Sequence, residues 1–137
     1  MNSLRNLLLF VIFNFGIQKT SAQVYEYKTS NLSVMDRNEN GKWNNWSEFK
    51  KAEIIITLDV KKDRFILNSK DLQLYKIDTY LEKVSDDEDD TLAFNCTDNT
   101  GEKCVILIVT RKKQGNRKQF YINYNDLKMV YNIYNSN

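Results

Sequence analysis

The sequence predicts a single all-β domain, and three observations carry that expectation. Its apolar residues fall in short runs rich in Tyr, Ile, Val, Phe and Thr, the types that suit a pleated, half-buried surface. Beyond the first two dozen residues, no segment sustains a 3.6-residue apolar period over the ten or more positions a helix needs. Polar turns punctuate the runs at near-regular spacing, which is the pattern of a barrel or a sandwich.

The firmest element is a hairpin. Residues 91–97 (TLAFNCT) and 103–110 (KCVILIVT) are apolar runs joined by Asp98-Asn99-Thr100-Gly101-Glu102. Gly101 can adopt the left-handed conformation that closes a three-residue loop. With Asn99-Thr100-Gly101 as that loop, Thr97 faces Lys103 and Cys96 faces Cys104, so the two cysteines of the chain fall opposite each other. Two further strands follow at 118–124 and 127–134.

Upstream, residues 24–35 alternate loosely and read as a first strand with a break near Ser30. Residues 36–51 (DRNENGKWNNWSEFKK) are polar with interspersed aromatics and read as a long loop. Residues 53–60 form a strand with Ile54, Ile56, Leu58 and Val60 on one face, and 64–69 return with Phe65 and Leu67 inward. Residues 73–84 form a longer strand with Tyr75, Ile77, Thr79 and Leu81 sharing a face, followed by an acidic turn. Every connection after the first is tight enough for a hairpin. The expectation is therefore an antiparallel meander of seven or eight strands, closed as a small lipocalin-like up-and-down barrel, with a two-sheet sandwich as the alternative. In that order Lys61–Asp63, the acidic 86–90 tip and the basic 111–118 tip share one end. The long loop and the 98–102 tip share the other.

Residues 1–22 read as an export signal: Arg5, a short apolar run at 7–17, and Thr20-Ser21-Ala22 before the expected cut. The apolar run is well short of the ~20 residues a membrane span requires. The expectation is a single domain over 23–137, exported to the periplasm or beyond, with no lipid anchor and no transmembrane segment. Cleavage removes Arg5 and Lys19 from the 20 basic residues and none of the 18 acids, leaving 18 against 18. A neutral chain offers no global field for nucleic acid, and its basic tip lacks interleaved stacking aromatics. In an oxidising compartment Cys96 and Cys104 are expected to form a disulfide, a contribution of roughly 2–3 kcal/mol by loop-entropy reasoning.

The candidate chemistry is sparse. The chain has no His, which removes the commonest general base near neutral pH. No nucleophile motif, phosphate loop or metal spacing is present, so neither catalysis nor a cofactor is expected. Asp36, Asn38 and Asn40 before Gly41 match the first half of a calcium loop, but the twelfth position is Ser47 and Glu48 comes one place late. A polar turn explains the same residues. Trp43, Trp46 and Phe49 either plug one barrel end beneath their loop or form a lid and contact site there. Val105, Leu107 and Val109 point away from the inward row of Cys104, Ile106 and Ile108, and are either covered by another segment or free for a partner. Asn31, Asn45 and Asn95 head glycosylation triplets. With 17 Asn and 16 Ser plus Thr, chance alone gives about two such triplets.

The Ser21-Ala22-Gln23 signal end, Gly41-Lys42-Trp43-Asn44-Asn45-Trp46-Ser47, the 54–69 hairpin, Phe94-Asn95-Cys96, Tyr121-Ile122-Asn123-Tyr124 and Val130-Tyr131-Asn132-Ile133 together resemble small exported proteins of Bacteroidota that have no assigned activity. The resemblance spans most of the mature chain. It implies a Gram-negative exported setting, makes glycosylation less expected, and brings no functional residue with it. Two function classes follow: an interaction module that meets a partner protein through an outer strand face or the Trp loop, and a binder of a small apolar ligand in the barrel mouth.

Overall fold

The computed structural model describes residues 23–135, so the export signal lies outside the described residues. In chain order the strands are β1 (Val24–Asp36), β2 (Lys50–Lys51), β3 (Ile55–Asp59), β4 (Arg64–Leu67), β5 (Gln73–Tyr80), β6 (Val84–Ser85), β7 (Asp89–Asp98), β8 (Lys103–Arg111), β9 (Arg117–Asn123) and β10 (Leu127–Asn135). All pair antiparallel, and β10 returns to pair with β1 from Tyr27↔Asn135 to Asp36↔Leu127. That last pairing closes the sheet. Eight strands form the barrel wall, while the two-residue β2 and β6 lie beside β1 and β7. The sandwich alternative is thereby set aside.

The wall is held by what fills it. Most residues expected to point inward are buried or packed on the core, from Ile54, Ile56 and Leu58 through Phe65, Phe94 and Ile106 to Met129 and Tyr131. Phe65, itself 0% exposed, meets Phe94 edge-on at 5.0 Å and Phe120 at 5.4 Å. Such edge contacts add about 0.5–1.5 kcal/mol each beyond burial. An eight-stranded barrel is only wide enough for its own side chains or one small ligand, and here aromatic rings occupy the axis.

Two bulges set which residues face where. In β1 the register with β10 slips between Thr29 and Asn31, where the sequence suggested a break. In β5 it slips between Ile77 and Thr79. One extra residue exchanges the faces of everything beyond it, so Tyr80 rather than Thr79 lines up with Phe94, at 5.7 Å. The expected common face of Tyr75, Ile77, Thr79 and Leu81 therefore ends at Ile77. Leu92 begins the inward row of β7 but sits at the barrel mouth, 39% exposed.

The hairpin of β7 and β8 has the register read from sequence, with Cys96 opposite Cys104 and Gly101 at φ 92°. The disulfide, however, is not formed: both cysteines are free and buried. The Cys96 sulfur turns to the Phe94 carbonyl oxygen at 3.7 Å, and Cys104 lies by the Tyr124 hydroxyl. Opposed backbones do not suffice when the sulfurs are not brought to bonding distance. Burial pushes both thiols up to about 12, so each stays protonated in an apolar interior.

Candidate functional site

The long loop is not a loop over the barrel end. After a turn at 37–43 the chain runs back along the free edge of β1, pairing in fragments. Asn44 N–H donates to Asp36 O at 2.9 Å, Ser47 N–H to Val34 O at 2.8 Å, and Ala52 N–H to Ser30 O at 3.1 Å. Two buried hydroxyls pin it there. Ser33 Oγ donates to Ser47 O at 2.6 Å, and Thr29 Oγ1 donates to Ala52 O while accepting from Ile54 N–H at 2.9 Å. The segment thus runs beside the barrel wall and carries its aromatics to the outer surface.

Neither tryptophan plugs the barrel. Trp43 is half-buried between two cations, with the Arg37 guanidinium 4.5 Å and the Lys128 ammonium 4.6 Å from its ring centre. Trp46 is 38% exposed and stands edge-on to Tyr121 at 6.2 Å, and Phe49 beside it is 45% exposed. Tyr121 joins the two contact candidates of the sequence. It is the ladder partner of Leu107 on one side and touches Trp46 on the other. The three valine and leucine positions do point outward. Val109 is buried, while Val105 and Leu107 remain half-buried.

Beneath the aromatics lies a polar chain that crosses five strands. Arg111 donates through Nε to Gln119 Oε1 at 3.1 Å, through one Nη to Asp89 at 2.8 Å, and through the other to the Tyr121 hydroxyl at 3.0 Å. Gln119 Nε2 donates to Asn132 Oδ1 at 3.0 Å, and Asn132 Nδ2 donates to Asn31 Oδ1 at 2.6 Å. Gln119 is only 6% exposed although it faces outward, and its bonds explain how it can be buried there. Asn31, the head of one glycosylation triplet, is a member of this chain; Asn45 and Asn95 are exposed. Arg117 reaches the same groove from β9, donating to Gln114 at 3.1 and 2.7 Å and to Asn132 at 3.1 Å. The groove holds about 300 Å³ over Val130, Ser33 and Gln119, with Trp46, Phe49 and the two arginines as its sides.

A larger open cleft of about 750 Å³ lies further along the wall, past Val105, where Asp78, Asn95 and Asn123 meet. Its rim is internally neutralised. Asp78 accepts from Thr97 Oγ1 at 2.6 Å and from Lys103 Nζ at 3.4 Å, and these contacts hold its carboxyl below the ordinary range. The cleft's one aromatic, Tyr124, is half-buried and donates its hydroxyl to Asp98 at 2.7 Å. At the charged end of the barrel, Lys112 pairs with Asp90 at 3.1 Å and donates to Asp86 O at 2.6 Å, so the acidic and basic tips meet each other.

The calcium candidate does not assemble. Asn38 Oδ1 accepts from the backbone of Asn40 at 2.9 Å and Lys42 at 3.0 Å, and Asp36 Oδ1 from the Asn44 amide at 2.9 Å. Those bonds define a polar turn, and Asn40 contributes only its backbone. Among the described residues no group of His, Cys, Asp or Glu could hold a metal ion, and no helix is long and apolar enough to cross a membrane. Arg111 and Arg117 belong to the basic tip seen in the sequence, but their place in the groove and the role of Gln119 were not read from it, although one pairing was within reach. Counting back along the register that sets Cys96 opposite Cys104 places Asp89 opposite Arg111. Comparison with protein-family models, curated proteins and solved structures finds no match for this chain.

Proposed function

We propose that this protein is an exported, non-enzymatic interaction module that holds a partner protein against the outer wall of its barrel. The contact surface is the strip formed by Trp46, Phe49, Tyr121 and Leu107, extended along β8 to Val105. One contrast carries the reading: the inside of the barrel is occupied by its own rings, whereas the outside offers partly exposed aromatics beside a preformed groove. Aromatic residues with arginine neighbours are the composition of binding hot spots. Packing of Phe65 against Phe94 and Phe120 weighs against the mouth as a site for an apolar ligand. The absence of His from the sequence weighs against acid–base catalysis near pH 7.

Native mass spectrometry of the protein purified from its own host tests this directly. The expected species is a complex with a second polypeptide that Trp46→Ala weakens at least tenfold while the melting temperature holds. A small molecule retained by the chain, unaffected by Trp46→Ala, would overturn the proposal.

A further inference from the structure

The groove beside Trp46 has a charge character that narrows the partner. Of the residues lining it, two are arginines and none is an acid. The arginines are not equivalent. Arg111 is paired with Asp89 at 2.8 Å, both side chains being only 26% exposed. The guanidinium of Arg117 is instead held by the neutral amides of Gln114 and Asn132, and among the described residues no carboxylate lies within ion-pair distance of it. An arginine fixed by neutral acceptors keeps its full charge. Three of its five N–H groups are used in those bonds, which leaves two to present to a ligand. The side chain is also already ordered, so less entropy is lost when an anion arrives.

Resting on the outer-wall reading above, we propose that the groove receives an extended acidic segment of the partner protein. That segment sets an apolar side chain on Trp46 and Phe49 and a carboxylate on Arg117. The aromatic rings and the guanidinium form the sides of one groove, so an apolar residue and an acid close together in sequence can engage both. A planar guanidinium matches a carboxylate through paired hydrogen bonds, which a lysine cannot reproduce. The polar chain behind the groove holds the recognition side chains in place: Asn132 fixes Arg117, and Gln119 and Arg111 fix Tyr121.

Selection of a random heptapeptide library on the full chain is the test. Selected peptides should carry Asp or Glu within two positions of Leu, Phe or Trp. The best of them should bind about tenfold tighter than its Asn or Gln isostere at low salt, with the gap closing at 0.3 M salt, as expected for a surface charge (roughly a 6 Å screening length). Arg117→Gln should reduce that tenfold preference to less than about twofold, and Arg117→Lys should restore only part of it. Arg117 is exposed, so both variants should fold. Neutral or basic consensus peptides, an unchanged preference in Arg117→Gln, or no binder above background would each overturn the inference. Should neutral peptides be selected and lost on Trp46→Ala, the outer-wall reading stands and only the acidic partner is wrong.

Discussion

Replacing Thr29 by Val isolates one hydroxyl that ties the 43–54 segment to β1. The side chain is 1% exposed at the β1 bulge, and its Oγ1 donates to Ala52 O and accepts from Ile54 N–H at 2.9 Å. Valine keeps the shape and removes both bonds, leaving one carbonyl and one amide without their partner. A fully buried orphan costs about 1–3 kcal/mol. Ala52 and Ile54 are half-buried, so water can reach them in part, and the lower half of that range applies to each. The expected loss is about 2–4 kcal/mol in urea unfolding, with an unchanged m-value. Thr29→Ser keeps the hydroxyl and should lose only the value of a methyl group, about 1 kcal/mol. If Thr29→Val unfolds within about half a kcal/mol of the parent, or if serine is the worse substitution, the hydroxyl is not what pins the segment.

Other outcomes follow from the ionisable groups inside the wall. Cys96 and Cys104, raised to about 12 chiefly by burial, should ignore a thiol reagent at pH 8 in the native protein and react as two thiols in denaturant; fast native labelling, or none when unfolded, contradicts the buried free pair. The unfolded chain releases these protons near pH 9 and the folded one near 12, so their stabilisation is complete below pH 9 and declines from pH 9 to about 12. Tyr75, raised to about 12 by burial, acts in the same direction from its ordinary value of 10. Urea midpoints that stay level between pH 8 and 11 would refute this. Asp98 shows the opposite sign: burial alone would raise its carboxyl, but hydrogen bonds from Thr100, Tyr124 and two backbone N–H groups hold it at about 2. Its contribution is present above pH 3.8 and disappears as pH falls towards 2. Tyr124→Phe, which removes a 2.7 Å bond to Asp98 Oδ2, should move the carboxyl titration upward in carbon-detected NMR, and an unmoved titration would show that the bond is not formed in solution.

The fold was legible because the barrel wall alternates. Outside the far end of β5, the strands with a period of two show their inward residues in the sequence, and Gly101 with its polar neighbours fixes the register of β7 on β8. The 36–51 stretch is largely a loop, as its composition suggests, but its course beside the wall was hidden for a physical reason. Its backbone pairs only at intervals, so Asn44, Asn45, Ser47 and Lys50 show no alternation. The β5 bulge left no mark either, since a single extra residue is indistinguishable from continued alternation until the partner strand is known. For the candidate site, the outward direction of Val105, Leu107 and Val109 was readable, but what lies over them was not. Gln119 and Asn132 look like any solvent-facing strand residues, and only their cross-strand neighbours reveal a buried network. The facing cysteines misled in another way: register sets the distance between backbones, while the bridge depends on rotamers.

The pairing of β1 with β10 also has a temporal consequence. Asn31 and Asn132, bonded across that seam, lie 101 residues apart in the chain, whereas every other wall contact joins strands adjacent or nearly adjacent in sequence. Closing so large a loop carries an entropy cost that local hairpins avoid. The β7–β10 hairpins can therefore form as soon as they exist, but the first strand has to wait for the last. A chain that stops short of β10 leaves β1 with an open edge, the kind of surface that recruits other chains. Completeness of the polypeptide is checked by the seam itself: until its final strand is in place, this barrel is a sheet with two sticky borders.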